Sequence, residues 1–494
     1  MKGFVKLIAV VVTAAAFAVS CSKDKDSGAV SFDKPAVFID APSGMATVGF
    51  TLRNIKTLSV TSQPTGWDEP MLDQTTGMLT VIAPSATALE EGTALEEGTA
   101  VESGTVVLAG VTPGGTSVSG VLFVGVVKTV DLSAAGVANS YMASVKETNY
   151  LFDVMHKGDG SPLATDHLGV IWKSASGLVQ YLQMEDGKAS FYIGADTEDS
   201  DKILKGNAVI GAYDANDELI WSWHVWATDY DPEGENGSVE LNGYTMMTRN
   251  LGALANGNAT TSEILASYGL YYQWGRKDPF IGPSTYKISS GQGAAMYNDS
   301  GSRTYVTMVA SSAETGTMDY AVKHPLAFVT GVAESNNDWL WSKSDAGWSS
   351  DGDAGAKSVN DPCPYGWRVA PSAAFAGLEI VGTPAAGDEE KFGWTLTDGK
   401  AESFFMGGGR RRYDDGKIQN IYIPKDEAKM KLYTRADIAQ PWEGLYWTTA
   451  VDGTQSNALH FWYEKLTGTG GIAPAEAYAR ANGMQVRCVK VKNL

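Results

Sequence analysis

The first part of this 494-residue chain consists of short runs in which apolar and polar residues alternate, and this pattern strongly favours β-strands. Gly, Pro and Asn break the runs, and examples are Leu79–Ala83, Thr105–Ala109 and Ser119–Val127. Alternation puts every second side chain on one face of a strand, so one face can be buried while the other stays in water. Several short strands separated by turn residues are typical of a sandwich. Residues 31–130 are therefore predicted to form an Ig-like β-sandwich.

Residues 131–235 have a similar alternating pattern, which predicts a second β-sandwich. The segments Leu178–Met184 and Lys188–Ile193 flank Asp186-Gly187, which is a two-residue hairpin signal. In Ile220–Trp226 the tryptophans fall on both faces of the predicted strand. Such a strand is expected to be covered by other parts of the protein on both sides.

The composition changes after residue 220, because 12 of the 14 Trp lie beyond it. From residue 236 onward the sequence is rich in Gly, Trp and Tyr and has few helical patterns. Thr261–Ser267 predicts a short capped helix, and Ser372–Leu378, directly after Pro371, predicts another. This half is expected to be a compact domain with long, well-packed loops.

Five sequence blocks occur in order in this half. They are M-T-R-N-L-G-A (Met247–Ala253), Y-G-L-Y-Y-Q-W-G-R-K-D-P-F (Tyr268–Phe280), N-D-P-C-P-Y-G-W-R-V-A-P (Asn360–Pro371), L-Y-W-T-T-A (Leu445–Ala450) and G-M-Q-V-R-C-V-K (Gly483–Lys490). Together they closely resemble the FISUMP family (Fibrobacter succinogenes major paralogous domain) over roughly residues 240–494. The resemblance implies an α+β, C-type-lectin-like domain with long loops across residues 236–494. It also implies a surface lipoprotein of Bacteroidetes type, in which fimbrillin-like or Ig-like domains precede this one. The chain as a whole is thus expected to be mostly β.

The N-terminus has the pattern of an export signal. Lysines precede a charge-free apolar run, Leu7–Val19, which is too short for an ordinary membrane-spanning helix. Cys21 follows a small residue, and this resembles the bacterial lipobox, in which the new N-terminal cysteine is acylated. Residues 1–20 are therefore predicted to be a lipoprotein signal peptide and residues 21–30 a polar tether. An ordinary secretory signal with a chance cysteine is the alternative.

An acylated Cys21 predicts anchoring in the outer membrane. Location at the cell surface is expected. The residues that follow Cys21 alternate Lys and Asp rather than forming the acidic run usual for surface export, so the periplasmic face of the membrane is the alternative. The formal charge of −19 argues against a nucleic-acid partner, since the longest basic run is only Arg410-Arg411-Arg412. The predicted partner is a host or bacterial surface protein or a glycan.

No catalytic motif stands out in the sequence. The five His are scattered, and the sequence contains no H-E-x-x-H, G-x-S-x-G or Cys-x-x-Cys. Some enzymes share the lectin-like fold, but their activity needs a redox and metal-binding cysteine pair, whereas Cys363 and Cys488 fall in the framework blocks. The chain is therefore predicted not to be an enzyme.

A weak calcium pattern lies before the C-terminal half. Asp229, Asp231, Glu233 and Glu240 stand at positions 1, 3, 5 and 12 of a loop with Gly234 at position 6, which is the ligand spacing of an EF-hand. The flanks read as strands rather than helices. A solvated acidic linker without any cofactor is the alternative.

Tryptophans of the C-terminal half offer a weak prediction of ligand contacts. Trp339, Trp348 and Trp442 are candidates, because aromatic faces stack on sugar rings and dominate protein interfaces. Exposure is expected most for Trp348, which lies in the polar run S-D-A-G-W-S-S-D-G-D. The alternative is that these rings fill the core of a loop-rich domain.

The lectin-like resemblance also implies a disulfide. In that fold a cysteine beside the first helix faces one on the final strand, and these correspond to Cys363 and Cys488. An exported protein meets an oxidising compartment, which favours the bond. Two buried thiols are the alternative.

Together these features predict a non-enzymatic, lipid-anchored cell-surface protein for adhesion or ligand binding, such as an accessory or tip subunit of a fimbria. A glycan-binding lipoprotein of a polysaccharide-uptake system is the alternative. A structural cell-envelope protein without a specific ligand is the third hypothesis.

Overall fold

The computed structural model describes residues 27–85, 103–284, 293–345, 347–348, 357–385, 391–419, 442–464 and 467–492. The predicted signal peptide, Cys21 and residues 21–26 of the tether lie outside the described residues. Strands dominate the described chain, as the alternating sequence pattern predicts.

The N-terminal part is a β-sandwich, which confirms the prediction from the alternating runs. Its strands are β1 (Ala29–Phe32), β2 (Ala36–Ile39), β3 (Met45–Arg53), β4 (Thr57–Ser62), β5 (Met71–Asp73), β6 (Met78–Ile82), β7 (Gly104–Val111) and β8 (Ser117–Val126). They form two four-stranded sheets, in the orders β1-β3-β6-β5 and β2-β8-β7-β4. Leu79, Val81, Leu108, Leu122 and Val124 are fully buried in the core that both sheets share.

A second sandwich follows. Its strands are β9 (Lys128–Asp131), β10 (Ser140–Ala143), β11 (Thr148–Asp153), β12 (His167–Lys173), β13 (Gln180–Glu185), β14 (Lys188–Ile193), β15 (Gly206–Tyr213) and β16 (Leu219–Ala227). One sheet has the order β13-β14-β11-β9, and the other contains β10-β16-β15-β12. The predicted hairpin joins β13 to β14, and both Asp186 and Gly187 have the positive φ that a tight two-residue turn requires.

Aromatic rings pack the two sandwiches against each other. Phe123 of β8 stacks on Tyr181 of β13 with ring centroids 4.3 Å apart. Phe38 of β2 stacks on Tyr192 of β14 at 6.0 Å. Because stacked pairs contribute roughly 0.5–1.5 kcal/mol each beyond their buried area, this junction is a packed contact rather than a loose link.

The C-terminal half consists of small sheets joined by long loops. Its elements are β17 (Ser238–Leu241), β18 (Tyr244–Met247), α1 (Thr261–Ser267), β19 (Tyr272–Gln273), β20 (Met296–Tyr297), β21 (Arg303–Thr304), β22 (Thr307–Ala310), α2 (Met318–Lys323), β23 (Ala327–Thr330), β24 (Trp367–Val369), β25 (Glu379–Ile380), β26 (Gly393–Thr397), β27 (Glu402–Met406), β28 (Arg410–Arg411), β29 (Ile418–Gln419), β30 (Trp442–Asp452), β31 (Gln455–Glu464), β32 (Thr469–Ala479), β33 (Gly483–Met484) and β34 (Cys488–Lys490). The sheets have the orders β17-β18-β34-β24, β19-β33-β28-β29, β25-β26-β27, β30-β31-β32 and β22-β23.

The first predicted helix is confirmed, with the same bounds. The side-chain oxygen of Thr260 caps α1 by accepting the Glu263 backbone N–H at 3.1 Å. The second prediction is wrong, because Ser372–Ala374 forms only a 3₁₀ turn. The tight turn carries Phe375 directly into the core, where it is fully buried. No helix among the described residues is long and apolar enough to cross a membrane.

The second sandwich and the C-terminal half share a hydrophobic core. One cluster contains Trp172 and Trp226 from the sandwich together with Trp274, Trp367 and Trp447 from the C-terminal half. In addition, β20 pairs with β12, so that β20 and β21 extend the sandwich sheet. The predicted boundary at residue 235 therefore separates two runs of strands but not two independent cores.

Strand β16 is covered on both faces, as the tryptophan pattern predicts. Trp221, Trp223 and Val225 lie in the core of the second sandwich. Trp226 points the other way, into the core shared with the C-terminal half. The strand is thus the wall between two hydrophobic layers.

A disulfide lies in that shared core. Cys363 and Cys488 are bonded, with their Cα atoms 6.1 Å apart, in agreement with the pairing that the lectin-like resemblance implies. Both residues are fully buried. Next to the bond, Val369 of β24 pairs with Cys488 of β34, so the bond and the strand pair hold the same two segments together.

Candidate functional site

A Ser, a Lys and an Asp meet where β16 contacts the C-terminal half. The Lys277 Nζ lies 2.7 Å from the Asp278 Oδ1, and the Ser222 Oγ donates to the same oxygen at 2.6 Å. The Lys277 ammonium also lies 4.5 Å from the centroid of the Trp221 ring. Burial lowers the pKa of Lys277, and the Asp278 carboxylate opposes this. All four residues are buried, so this arrangement ties two segments together and presents no nucleophile to solvent.

Other charged residues of the five sequence blocks are also buried and tie loops together. Arg487 donates to the Oδ1 of Asn250 at 2.8 and 3.1 Å. The Asp361 carboxylate accepts the backbone N–H groups of Cys363 at 2.8 Å and Val369 at 2.9 Å. Their contacts are those of a framework.

Arg480 is the centre of a further buried network. Its NH1 lies 3.4 Å from the Oδ2 of Asp338, its NH2 lies 2.5 Å from the Oδ1 of Asp345, and its Nε donates to the Ser456 Oγ at 3.0 Å. Burial raises the pKa of Asp338 to about 6, against the opposing effects of the Leu340 backbone N–H and Arg480. The network therefore holds the segments that contain Asp338, Asp345 and Ser456 close to Arg480.

The four acids of the predicted calcium loop do not converge on one point. Asp229 pairs with Lys205 and with Arg249, whose NH1 lies 3.0 Å from its Oδ1. The other three carboxylates have separate partners, which are the Glu233 backbone N–H for Asp231, Lys490 for Glu233 and Thr245 for Glu240. In the part of the chain that the structure describes, no three His, Cys, Asp or Glu are grouped to hold a metal ion.

The three candidate tryptophans are core residues rather than ligand contacts. Trp339 is fully buried, and Trp348 and Trp442 are 1% and 3% exposed. Trp442 packs on Trp394 with ring centroids 5.0 Å apart. All 14 Trp lie in the described residues, and only Trp341 is exposed, with 38% of its surface accessible to solvent.

The expected exposure of Trp348 is wrong for a local reason. A Cβ on the preceding residue, Gly347, would lie 2.4 Å from the Cα of Gly275, so the two backbones touch only because both residues are glycines. This contact brings Gly347 and Trp348 into the core. The Trp348 Nε1 then donates to the carbonyl of Asn360 at 2.9 Å, and the ring lies 6.1 Å from that of Trp274.

A polar groove lies between the β28–β29 hairpin and the β31–β32 hairpin. It encloses about 460 Å³, a volume within the usual range of about 300–1,000 Å³ for small-molecule sites. The described residues of its lining include two arginines, two tyrosines, several amides and no carboxylate: Asn337, Arg410, Arg412, Tyr413, Gln419, Gln455, Ala477, Tyr478, Ala479 and Asn482.

The three consecutive arginines at the groove have different contacts. Arg411 points inward and donates to two backbone carbonyls at 3.0 and 3.1 Å. Arg412 is held by Asp414, with 2.8 Å between its Nε and the carboxylate Oδ1. Arg410 lies with its guanidinium carbon 5.3 Å from the centroid of the Tyr478 ring. Within the described residues Arg410 makes no side-chain hydrogen bond or ion pair, and its buried Nε has no acceptor.

The amide side chains of the groove differ in how far they are engaged. Asn482 is used internally, since its Oδ1 accepts the Tyr413 backbone N–H at 3.2 Å and its Nδ2 donates to the Ala479 carbonyl at 2.9 Å. The side chains of Asn337, Gln419 and Gln455 have no hydrogen-bond partner in the described chain. Each of these offers both donors and an acceptor, the combination that matches sugar hydroxyls.

A histidine between two carboxylates adjoins the groove through Tyr478. The His460 Nδ1 lies 2.6 Å from the Oε2 of Glu476 and 3.1 Å from the Tyr478 hydroxyl. Its Nε2 lies 3.7 Å from the Oε1 of Glu443, beyond hydrogen-bond distance. Burial opposes the charged form, but Glu443 and Glu476 outweigh it and raise the pKa of His460. The Trp462 ring stacks on the imidazole at 4.8 Å.

A second, more apolar cavity of about 300 Å³ lies near the start of α2. Met318, Leu340 and the exposed Trp341 line it. The five other described lining residues carry no large apolar group, so the apolar surface of the cavity comes from one exposed ring and the side chains of Met318 and Leu340.

The groove residues were not singled out from the sequence. Arg410 was noted only as part of a basic run, and Tyr478 not at all. A usable signal was present, because in a strand the outer members of an Arg-Arg-Arg run face opposite to the middle one. The acid that neutralises Arg412 follows two residues later, whereas no acid stands at the equivalent distance from Arg410.

Comparisons with known proteins do not identify the chain. No protein family matches it, and no curated protein does. Among solved structures it is similar to the Bacteroides ovatus mixed-linkage glucan utilization locus protein SGBP-B in complex with a mixed-linkage heptasaccharide, at 8% identity over 39% of this chain and 43% of that one, with a TM-score of 0.12. The Yersinia pseudotuberculosis adhesin InvE matches at 11% identity, 52% and 78% coverage and a TM-score of 0.13. Drosophila N-cadherin EC1-3 matches at 14% identity, 41% and 67% coverage and a TM-score of 0.15. Scores this far below 0.5 establish no common fold.

Proposed function

We propose that this protein is a non-enzymatic, lipid-anchored protein of the outer membrane that binds a saccharide-sized ligand at the cell surface. The groove at Arg410 and Tyr478 carries the proposal. It has the volume of a small-molecule site, free amides and a guanidinium without a partner among the described residues.

Two further features support a binding role over catalysis. The arrangement of Ser222, Lys277 and Asp278 is buried and internally satisfied, so it is a poor candidate for a reacting group. The side chains that line the groove are arginines, tyrosines and amides, which suit recognition of a ligand without chemical change.

The order of the parts along the chain supports the anchored arrangement. The lipobox-like Cys21 precedes two packed β-sandwiches, and the groove follows them in the C-terminal half. The resemblance of the C-terminal half to FISUMP-type surface lipoproteins also supports an anchored protein. Within this proposal the protein serves adhesion, as a fimbrial accessory subunit, or serves uptake of a polysaccharide.

The proposal is tested on a glycan array and a panel of surface proteins with the full mature chain. Saturable binding is expected, and Tyr478→Ala or Gln455→Ala should abolish it while far-UV circular dichroism stays unchanged. Tyr305→Ala is the matched control, because this tyrosine is 69% exposed and lies outside the groove. Binding that survives both groove variants would contradict the proposal.

Adhesion and uptake are separated in cells. Deletion of the gene should reduce attachment to the ligand-bearing surface in the first case. In the second case it should slow growth when the ligand is the sole carbon source. Complementation with Tyr478→Ala should restore neither property.

A further inference from the structure

Most arginines that the structure describes in the C-terminal half make hydrogen bonds or ion pairs, apart from the exposed Arg303. Arg411 donates to two carbonyls, Arg412 pairs with Asp414, and Arg480 and Arg487 have several partners each. Arg410 differs from them, since its guanidinium has no hydrogen bond or ion pair in the described chain. Its Nε is shielded from solvent without an acceptor. The Nε of Arg411 is shielded without an acceptor too, but its other N–H groups donate to carbonyls. In Arg410 no side-chain N–H group has an acceptor among the described residues, so its whole fork of donors can bind an acceptor from outside.

We infer that the groove recognises an acidic sugar, and that Arg410 binds its carboxylate. This inference rests on the proposed function and names the ligand class. The guanidinium lies over the Tyr478 ring at 5.3 Å, which restrains its plane. A restrained guanidinium presents a planar fork of N–H donors, and this fork matches a carboxylate with two parallel hydrogen bonds.

The remaining lining fits the rest of a sugar. Asn337, Gln419 and Gln455 have free amides that can pair with hydroxyls, which are both donors and acceptors. None of the described lining residues has a carboxylate that would compete for Arg410. Glu476 is already bound to His460, at 2.6 Å.

The charge of the chain limits how acidic the ligand is. The formal net charge is −19, so a densely charged polyanion is repelled at long range. One unpaired arginine in a groove neutralises one acidic group. The ligand is therefore an oligosaccharide with a single uronic-acid type residue in the groove.

A matched pair of trisaccharides tests the inference by titration calorimetry on the full mature chain. One ends in glucuronate, and the other ends in glucose with the same linkages. The glucuronate form should bind about tenfold or more tightly, as expected for hydrogen bonds to a charged group. Arg410→Gln should bring this ratio to about one without weakening the neutral form. Arg410→Lys should retain part of the preference. Arg303→Gln should leave it unchanged, since Arg303 is exposed, lies outside the groove and also has its guanidinium over a tyrosine ring, that of Tyr297.

Each outcome decides the matter. Equal affinity for both trisaccharides, or a preference that persists in Arg410→Gln, refutes the inference and leaves the proposed function standing. Tighter binding of a tripeptide with one Glu than of the glucuronate form shows that an acidic peptide is the ligand, and this also refutes it. If neither trisaccharide binds, the acidic-sugar assignment is wrong. Whether the groove binds any ligand is then read from the separate effect of Tyr478→Ala on array binding.

Discussion

Removing the disulfide is expected to weaken the C-terminal half severely. Cys363 and Cys488 are 125 residues apart in sequence, so the bond closes a long loop. On the chain-entropy model a loop of this length stabilises the native state by about 5 kcal/mol. A typical domain has a net stability of only about 5–15 kcal/mol, so a third or more of the total depends on one bond.

Urea unfolding followed by Trp fluorescence measures this effect. The signal reports on the right part of the chain, because 12 of the 14 Trp lie beyond residue 220. With a slope of about 2–3 kcal/mol per molar urea, a loss of about 5 kcal/mol lowers the midpoint by roughly 2 M. The comparison includes oxidised protein, reduced protein and Cys363→Ala/Cys488→Ala, all in a Cys21→Ser background that leaves no other cysteine.

Reduced protein and the double variant should unfold at similar midpoints, since both lack the bond. A gap between them measures the packing of the two buried sulfur atoms. If reduction moves the midpoint by less than about 0.5 M, the loop-closure argument is wrong for this chain. The packed strands β24 and β34 would then hold the two segments together without help.

Three further predictions concern single sites. Burial raises the pKa of Asp338 from 3.8 to about 6, so ionisation of this carboxyl lowers the free energy of unfolding as the pH rises from about 4 to 6. Over that range Asp338→Asn should gain roughly 1–3 kcal/mol relative to wild type in urea titrations. A difference between variant and wild type that does not change with pH contradicts this. The pKa of His460 is raised, so its stabilisation is present below about pH 6.5 and is lost at higher pH, and His460→Gln should destabilise more at pH 6 than at pH 9; an equal loss at both pH values counts against the carboxylate contacts. Cys21→Ser should move the protein from the membrane to the soluble fraction, and a variant that stays membrane-bound with unchanged mass disproves the lipid anchor.

The parts of the fold that the sequence predicts are those set by local physics. The alternating runs predict the first sandwich, and Asp186-Gly187 predicts the β13–β14 hairpin, because alternation and turn chemistry act over a few residues. The cap at Thr260 fixes the start of α1 in the same way. Trp on both faces of β16 correctly indicated a strand covered on both sides.

The errors concern contacts between residues far apart in sequence. The polarity around Trp348 indicated exposure, but the approach of Gly275 to Gly347 brings Trp348 into the core. The spacing of Asp229 and its neighbours matched a calcium loop, but Lys205, Arg249 and Lys490 reach in from other elements and bind these carboxylates separately. Spacing along a chain does not report on such partners.

The groove was out of reach of sequence reasoning for the same reason. Its lining comes from residues 337, 410–419, 455 and 477–482, which meet only because the β28–β29 and β31–β32 hairpins lie side by side. None of these residues is unusual in its own segment. Arg410 becomes informative only when its contacts are compared with those of Arg411 and Arg412.

A loop-rich domain has many backbone carbonyls outside regular strands, and burying them requires donors. This chain meets the requirement with buried arginines: Arg276 donates to the Ala327 carbonyl at 2.7 Å, Arg411 to that of Ile281 and Arg480 to that of Gln455. Each guanidinium can bind several carbonyls, which makes long loops compatible with a dry core. Arginine in this domain is therefore mainly a framework residue, and its abundance says nothing about a ligand. Arg410 differs from these framework arginines, because none of its side-chain N–H groups has an acceptor among the described residues, whereas Arg276 and Arg411 leave only Nε without one.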